Sequence, residues 1–356
     1  LLGNNDWSGT ITLTSDALIR TQSGRLRTFG QIDLGNFQLT LDALANTEIQ
    51  GPGIMGSGSV RKIGTSDVNF YANNTYTGVT LVEQGRLDVR QNDGLGGAGT
   101  AGTFVSSGAT LRLRDGRTIT EDITIAGNGI NNEGAIRNEN NTNTIVGTVT
   151  LTADARIHVN NTALTINGQV VGGFAVEKTG AGRLGFTQNN LISNFLLNGG
   201  SVRIASELGL GGTTSLDIDL NEAVEFEGNL NFNAGSTLSS LNVNDGRINA
   251  IGGTTPLDIP ISIFFSGDDG HLVLPRAIGN GNVPINLPAL SHFGYHINND
   301  ALALDLNNNG GMLNGGNPTG FQNFFGQALL INGPGNRGLD FDSDAEREGS
   351  RADRRP

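Results

Sequence analysis

Asp217 and Asp219 lie two residues apart in Leu216-Asp-Ile-Asp-Leu220. On a strand that spacing puts both carboxylates on one face. Paired acids on an open face are the equipment of polysaccharide cleavage, one carboxyl donating a proton while the other acts as base or nucleophile. Alternation along any half-buried strand produces the same pair, and a solvated face is the favoured reading. Arg112, Arg114, Asp115 and Arg117 form a small basic cluster. Arginine grips carboxylates bidentately, so an acidic glycan is one ligand for it, with surface ion pairing the favoured alternative. His292 and His296 could share a face, but zinc needs three or four ligands and no third is evident. Asp305-Leu-Asn-Asn-Asn-Gly310 matches the first half of a calcium loop, with Met312 at an apolar position. Gly316 stands where the bidentate glutamate belongs, and Asp340-Phe-Asp-Ser-Asp344 is followed by Ala345 instead of glycine. An Asn/Gly turn explains the first loop as well. No catalytic, cofactor or metal residue is assigned.

The elements that would position these groups are short. Glycine accounts for 54 of 356 residues, about twice the ~7% of ordinary proteins, without a collagen period. It punctuates short runs of Val, Ile, Leu, Thr and Asn, the pattern of many strands joined by tight turns. Ile11 and Leu13, Val149 and Leu151, and Leu216 and Ile218 alternate with polar neighbours, as strands with one buried face do. No long stretch has helical spacing. The asparagine pairs 73–74, 140–141, 160–161 and 189–190 read as turns, asparagine tolerating the left-handed conformation, and stacked asparagines could bond between turns.

A glycine-bounded block occurs twice. The first copy runs from Gly58 through Lys62, Gly64, Val68-Asn-Phe70 and Asn73-Asn-Thr-Tyr-Thr-Gly78 to Asp93-Gly-Leu-Gly-Gly97. The second runs from Gly173 through Lys178, Gly180, Arg183-Leu-Gly-Phe186 and Asn189-Asn190 to Leu208-Gly-Leu-Gly-Gly212. Lys62 and Lys178 are the only lysines and occupy the same place in the two copies. Repetition on this scale points to a solenoid. The lysines are offset by 116 residues, and the upstream matches 9–17 and 147–155 by 138, a difference of 22. Only a whole unit can be inserted without breaking the stacking register, so 22 residues reads as about one turn of three ~5-residue strands. At ~4.8 Å per turn, residues 1–250 would make about 11 turns and a rod on the order of 50 Å.

The pattern changes near Thr254. Five of nine prolines fall between Pro256 and Pro288, and proline cannot donate to a ladder. The expected organisation is a parallel β-helix over 1–254, a β cap or small appended module over 255–335, and a charged tail over 336–356. A cap would cover the sticky end of a solenoid.

The two blocks resemble the autotransporter-associated β-strand repeat of bacterial surface proteins. Lys178-Thr-Gly-Ala-Gly182 and Asn74-Thr-Tyr-Thr-Gly78 carry the likeness, and Asp93-Gly-Leu-Gly-Gly97 fits loosely. The first copy departs at Lys62-Ile-Gly-Thr-Ser66, and the second lacks Thr-Tyr-Thr-Gly. The resemblance implies a right-handed parallel β-helix, secreted or on the outer surface of a Gram-negative-type bacterium, serving as a scaffold without chemistry.

Net charge is −12, from 34 acidic and 22 basic residues, which argues against nucleic acid and anionic membranes. There is no cysteine and no run of 18 apolar residues, so no disulfide, thiol chemistry or helical membrane insertion is expected. The chain opens at Leu1 without a signal-peptide pattern and reads as a processed or excised segment. The functional expectation is a non-catalytic structural or adhesive solenoid with no cofactor. Its partner would be itself, as a homo-oligomer or filament, or surface glycans. The alternatives are a β-helix polysaccharide lyase or glycoside hydrolase, and an adhesin passenger for a glycan or protein ligand.

Overall fold

The computed structural model describes residues 2–97, 99, 101–219, 222–227, 237–238, 240–244 and 247–251, and the short strands 257–258, 262–266, 271–273 and 285–286. The described chain is all-β, its only helical piece the 3-10 turn Ile130–Asn132. Parallel strands stack in about 10 turns to form a β-solenoid. Two compact units, Leu1–Phe195 and Leu196–Pro356, divide it.

In the first unit each turn has three sides. The first turn is Asn4–Trp7, Ile11–Thr12 and Ala17–Thr21; the next is Arg25–Thr28, Ile32–Asp33 and Leu39–Ala43. Each strand pairs with its counterpart a turn later: Asn4↔Arg25, Ile11↔Ile32, Ala17↔Leu39. The step is 21 residues in the first two and 22 in the third. It shrinks to 19 at Asp67↔Arg86 and grows to 26 at Ile123↔Val149, so the 22-residue expectation matches the typical turn. Short turns are possible because the second side needs few residues; between Ile54–Met55 and Thr118–Ile119 it is carried by turn segments around Asn74 and Leu95.

Inward positions form continuous rows. On the first side Leu26, Thr47, Val68, Leu87, Leu111, Ile136 and Ile157 follow one another and all are buried. On the third side Leu41, Lys62, Val82, Val105, Ile125 and Leu151 do the same. Apolar burial of ~25 cal/mol per Å² on every turn is what holds the stack together beyond its backbone ladder. Lys178 occupies the first-side row after Ile157. The two lysines of the repeated block therefore stand on different sides, the second copy one side further round the solenoid. The block follows a corner of the coil and not a particular face.

In the second unit, Gly200–Ile204, Glu222–Glu227, Arg247–Ile251 and His271–Val273 stack in parallel, with Gly200↔Glu222, Ala223↔Arg247 and Arg247↔His271. Ser215–Ile218, Ser240–Asn244 and Ser262–Ser266 make another ladder. Val202, Ile204, Leu216, Ile218, Val224, Phe226 and Leu241 are buried. The pairs at Ser262 and His271 run past residue 254; most of 255–335 and all of 336–356 lie outside the described residues.

Candidate functional site

The repeated block places a lysine in phase with core residues. In Val60-Arg-Lys-Ile63, Val60 and Lys62 point inward, and Lys62 is fully buried. Its Nζ donates to the carbonyls of Ile63 (2.9 Å), Gly64 (2.6 Å) and, one turn later, Gln84 (2.8 Å). Lys178, also fully buried, donates to Thr179 (3.1 Å) and Gly180 (2.6 Å). The glycine that follows is forced by geometry. Gly64 and Gly180 have φ of +77° and +82°, and a Cβ would come within 2.4 Å of Ala43 O or 2.2 Å of Val159 O. Only glycine turns the corner so tightly and aims its carbonyl at the ammonium. Burial pushes Lys62 down to about 8, while Asp67 and Asp42 oppose that shift. Three carbonyl acceptors call for all three N–H groups, so the amine is held protonated at neutral pH. A buried amine of lowered pKa is the profile of a nucleophilic lysine. Here it is sealed from solvent and saturated with acceptors, so it acts as a staple between turns.

Asn74 performs the same task on the second side. Its Oδ1 accepts from Ile54 N–H (2.8 Å) on the previous turn, and its Nδ2 donates to Gly94 O (2.6 Å) on the next. Asn190, at the matching place in the second copy, accepts from Val170 N–H (2.8 Å). Both are buried. The expected left-handed turn role fits Asn141 (φ +54°) but not Asn74 or Asn190, whose side chains are interior bridges. Asn143 donates to Asn138 Oδ1 (2.6 Å) and Asn69 to Asn46 (2.8 Å), which is the stacking of amides between neighbouring strands and turns.

The outward row of the first side is a ladder of charge. Asp6, Arg27, Glu48, Asn69, Asp88, Arg112, Arg137 and His158 succeed one another turn by turn. Arg112 bonds Asp88 through Nε and through Nη2 (2.7 Å), and reaches Asp67 (2.7 Å) two turns back. Arg114 shares Asp88 (3.0 Å), Arg90 bonds Asp115 (3.2 Å), and Arg86 links Asp67 to Glu133 at 2.8 Å each. Asp88 is fully buried beneath these guanidinium groups. Three members of the basic cluster expected at 112–117 are thus held by carboxylate–guanidinium pairs. Arg117 stands apart, its Nε buried without a hydrogen bond. Burial also lowers His158, whose Nδ1 lies 3.0 Å from Thr179 Oγ1.

Asp217 and Asp219 are both exposed, flanking buried Ile218. The Asp219 N–H bonds Glu222 Oε2 (2.9 Å), and Glu222 N–H returns to Asp219 O (2.9 Å). His292, His296 and the half loops at Asp305–Gly310 and Asp340–Asp344 lie outside the described residues. Among the described residues no three His, Cys, Asp or Glu side chains converge to hold a metal, and no helix is long and apolar enough to cross a membrane.

Fold and side-chain arrangement define a parallel β-solenoid whose polar groups join successive turns. No protein-family model, curated protein or solved structure matches the chain.

Proposed function

We propose that this chain is a structural or adhesive β-solenoid that works outside the cell, as a stalk, fibre subunit or adhesive element, without catalysis. The observation that carries this reading is the destination of the polar chemistry. Lys62, Asn74 and the Asp88–Arg112 pair, the groups with the strongest chemical potential, each tie one turn to another. The likeness of the two blocks to autotransporter-associated repeats supports an outer-surface location. The charge of −12 disfavours nucleic acid as a partner. A second copy of the chain, or a surface glycan, is the partner this reading names, and no cofactor enters it.

Electron microscopy across a concentration series tests the self-assembly part of the proposal. Filaments with a uniform axial repeat support a polymer subunit. Single particles at every concentration, together with no signal on a broad glycan array, refute both the fibre and the adhesive role. One observation favours a second reading: Asp217, on the strand Ser215–Ile218, and Asp219, directly after its end, are both exposed. Polysaccharide cleavage that disappears in the Asp217→Asn, Asp219→Asn double variant would establish an enzyme.

A further inference from the structure

Glu121 is the one buried carboxylate among the described residues neither of whose oxygens has a well-formed hydrogen bond, the backbone N–H groups of Glu121 and Thr120 lying near enough to favour the ionised form but poorly aligned. It is 6% exposed. It lies at the corner between the strands Thr118–Ile119 and Ile123–Gly127, where burial alternates, so like Ile119 and Ile123 it is turned to the interior. The pairing Thr103↔Ile123 puts it two residues from the register position of Thr103, whose buried Oγ1 is also unpartnered. Tyr76 lies within electrostatic reach of it, fully buried, with its hydroxyl already taken by Thr80 Oγ1 (2.5 Å). On the next turn Gly147 packs so closely that a Cβ there would fall 2.1 Å from Glu121 O. Asp93, at the exposed turn nearby, is the other charged group that acts on it, and it repels. Asp122 points to solvent and bonds Thr148 N–H (2.7 Å). Among the described residues no Lys, Arg or His forms an ion pair with Glu121, and none is among the main groups acting on its carboxyl.

We propose that Glu121 is a proton-operated switch inside the solenoid: protonated, its turn closes tightly over it; ionised, the turn loosens so that water reaches the carboxylate. A buried charge without a partner is costly, whereas a neutral carboxyl in the same place is tolerated. A metal ion is the other positive charge that could enter, but one interior carboxylate is too few for a hard cation that asks for six or more oxygens. Desolvation raises the carboxyl to about 7, against a partial pull from the Glu121 and Thr120 N–H groups. The folded chain then holds the proton more tightly than the unfolded chain. The stabilisation is complete below the unfolded pKa near 4.5 and is lost as pH rises through about 7.

The experiment compares the full wild-type chain with Glu121→Gln, which keeps the shape and stays neutral. Guanidinium unfolding is followed from pH 4 to pH 8.5, alongside carboxyl carbon NMR of the folded wild type. The expected result is an unfolding constant that rises up to roughly 300-fold in wild type relative to the variant, with the shift from 4.5 to about 7 setting that ceiling. The NMR titration of Glu121 should centre near 7. Parallel pH profiles for the two chains would overturn the proposal, as would a Glu121 titration at ordinary carboxylate pH. Restoration of wild type at pH 8.5 by added calcium, with no effect on Glu121→Gln, would overturn it in favour of a cation site. If the variant does not fold, the NMR titration of wild type decides alone.

Discussion

Replacing Lys62 by methionine removes the ammonium while keeping an unbranched side chain in the core row between Leu41 and Val82. Three carbonyls, of Ile63, Gly64 and Gln84, lose their donor. At about 2 kcal/mol for each orphaned buried acceptor, the loss is about 6 kcal/mol. Methionine also avoids burying a charge. The fall of Lys62 from 10.5 to about 8 is worth about 3 kcal/mol in the opposite direction at neutral pH, at 1.36 kcal/mol per unit. The net expectation is a destabilisation of about 3 kcal/mol, seen as a lower guanidinium midpoint by far-UV circular dichroism. Arg61→Met provides the contrast, because Arg61 is an outward residue paired with Glu83 (2.7 Å). An exposed pair of that kind contributes about 0.5 kcal/mol. The pH dependence has a definite sign. Between about 8 and 10.5 the unfolded chain holds the lysine proton and the folded chain releases it. Wild type therefore gains on Lys62→Met as pH rises through that window. Equal midpoints for Lys62→Met and Arg61→Met would refute the staple, and a gap that narrows above pH 8 would refute the burial argument.

Asp88→Asn leaves Arg112 and Arg114 without their shared charge; because Asp88 is fully buried, thermal unfolding should register a loss of about 3 kcal/mol. Gly180→Ala combines a φ of +82° with a Cβ 2.2 Å from Val159 O, whereas Gly173 has φ +70° and open space around it. The first substitution should cost about 3 kcal/mol and Gly173→Ala about 1 kcal/mol, both read from denaturant midpoints.

Much of the fold is legible in the residues, and the misreadings have physical causes. Alternation at Val149 and Leu151 and at Leu216 and Ile218 marks true strands because one face of each is packed, whereas the strand at Ile11 ends at Thr12 and Leu13 is buried just beyond it. The turn length emerges because only whole turns can be added without shifting every later pair. The side on which each block stands was less apparent, although a signal exists: the offsets 116 and 138 each exceed a whole number of 22-residue turns by six residues. That remainder is the extra side. Lys62 and Asp88 escape a reading by residue type because charge normally signals solvent. Phase alone betrays Lys62, which alternates with Val60 around Arg61. Asp88 is hidden differently: it faces outward between inward Leu87 and Val89 and is buried by arginines from later turns. Glu121 leaves a similar trace, since Ile119 and Ile123 flank it in phase, but nothing local reports that no cation comes from a neighbouring turn.

Deleting one complete turn tests the stacking most directly. Removal of residues 25–45 brings Asn46 to the place of Arg25, its partner in the ladder 21 residues earlier. The shortened chain should keep its β-sheet circular dichroism and unfold cooperatively, with a modest loss of stability, because each turn contributes mainly to its immediate neighbours. Removal of 25–34 instead takes out less than a turn and brings the third-side strand Leu39–Ala43 to the place of the second side, so it should abolish cooperative unfolding of the Leu1–Phe195 unit. Equal stability of the two deletions would contradict a solenoid held in register turn by turn.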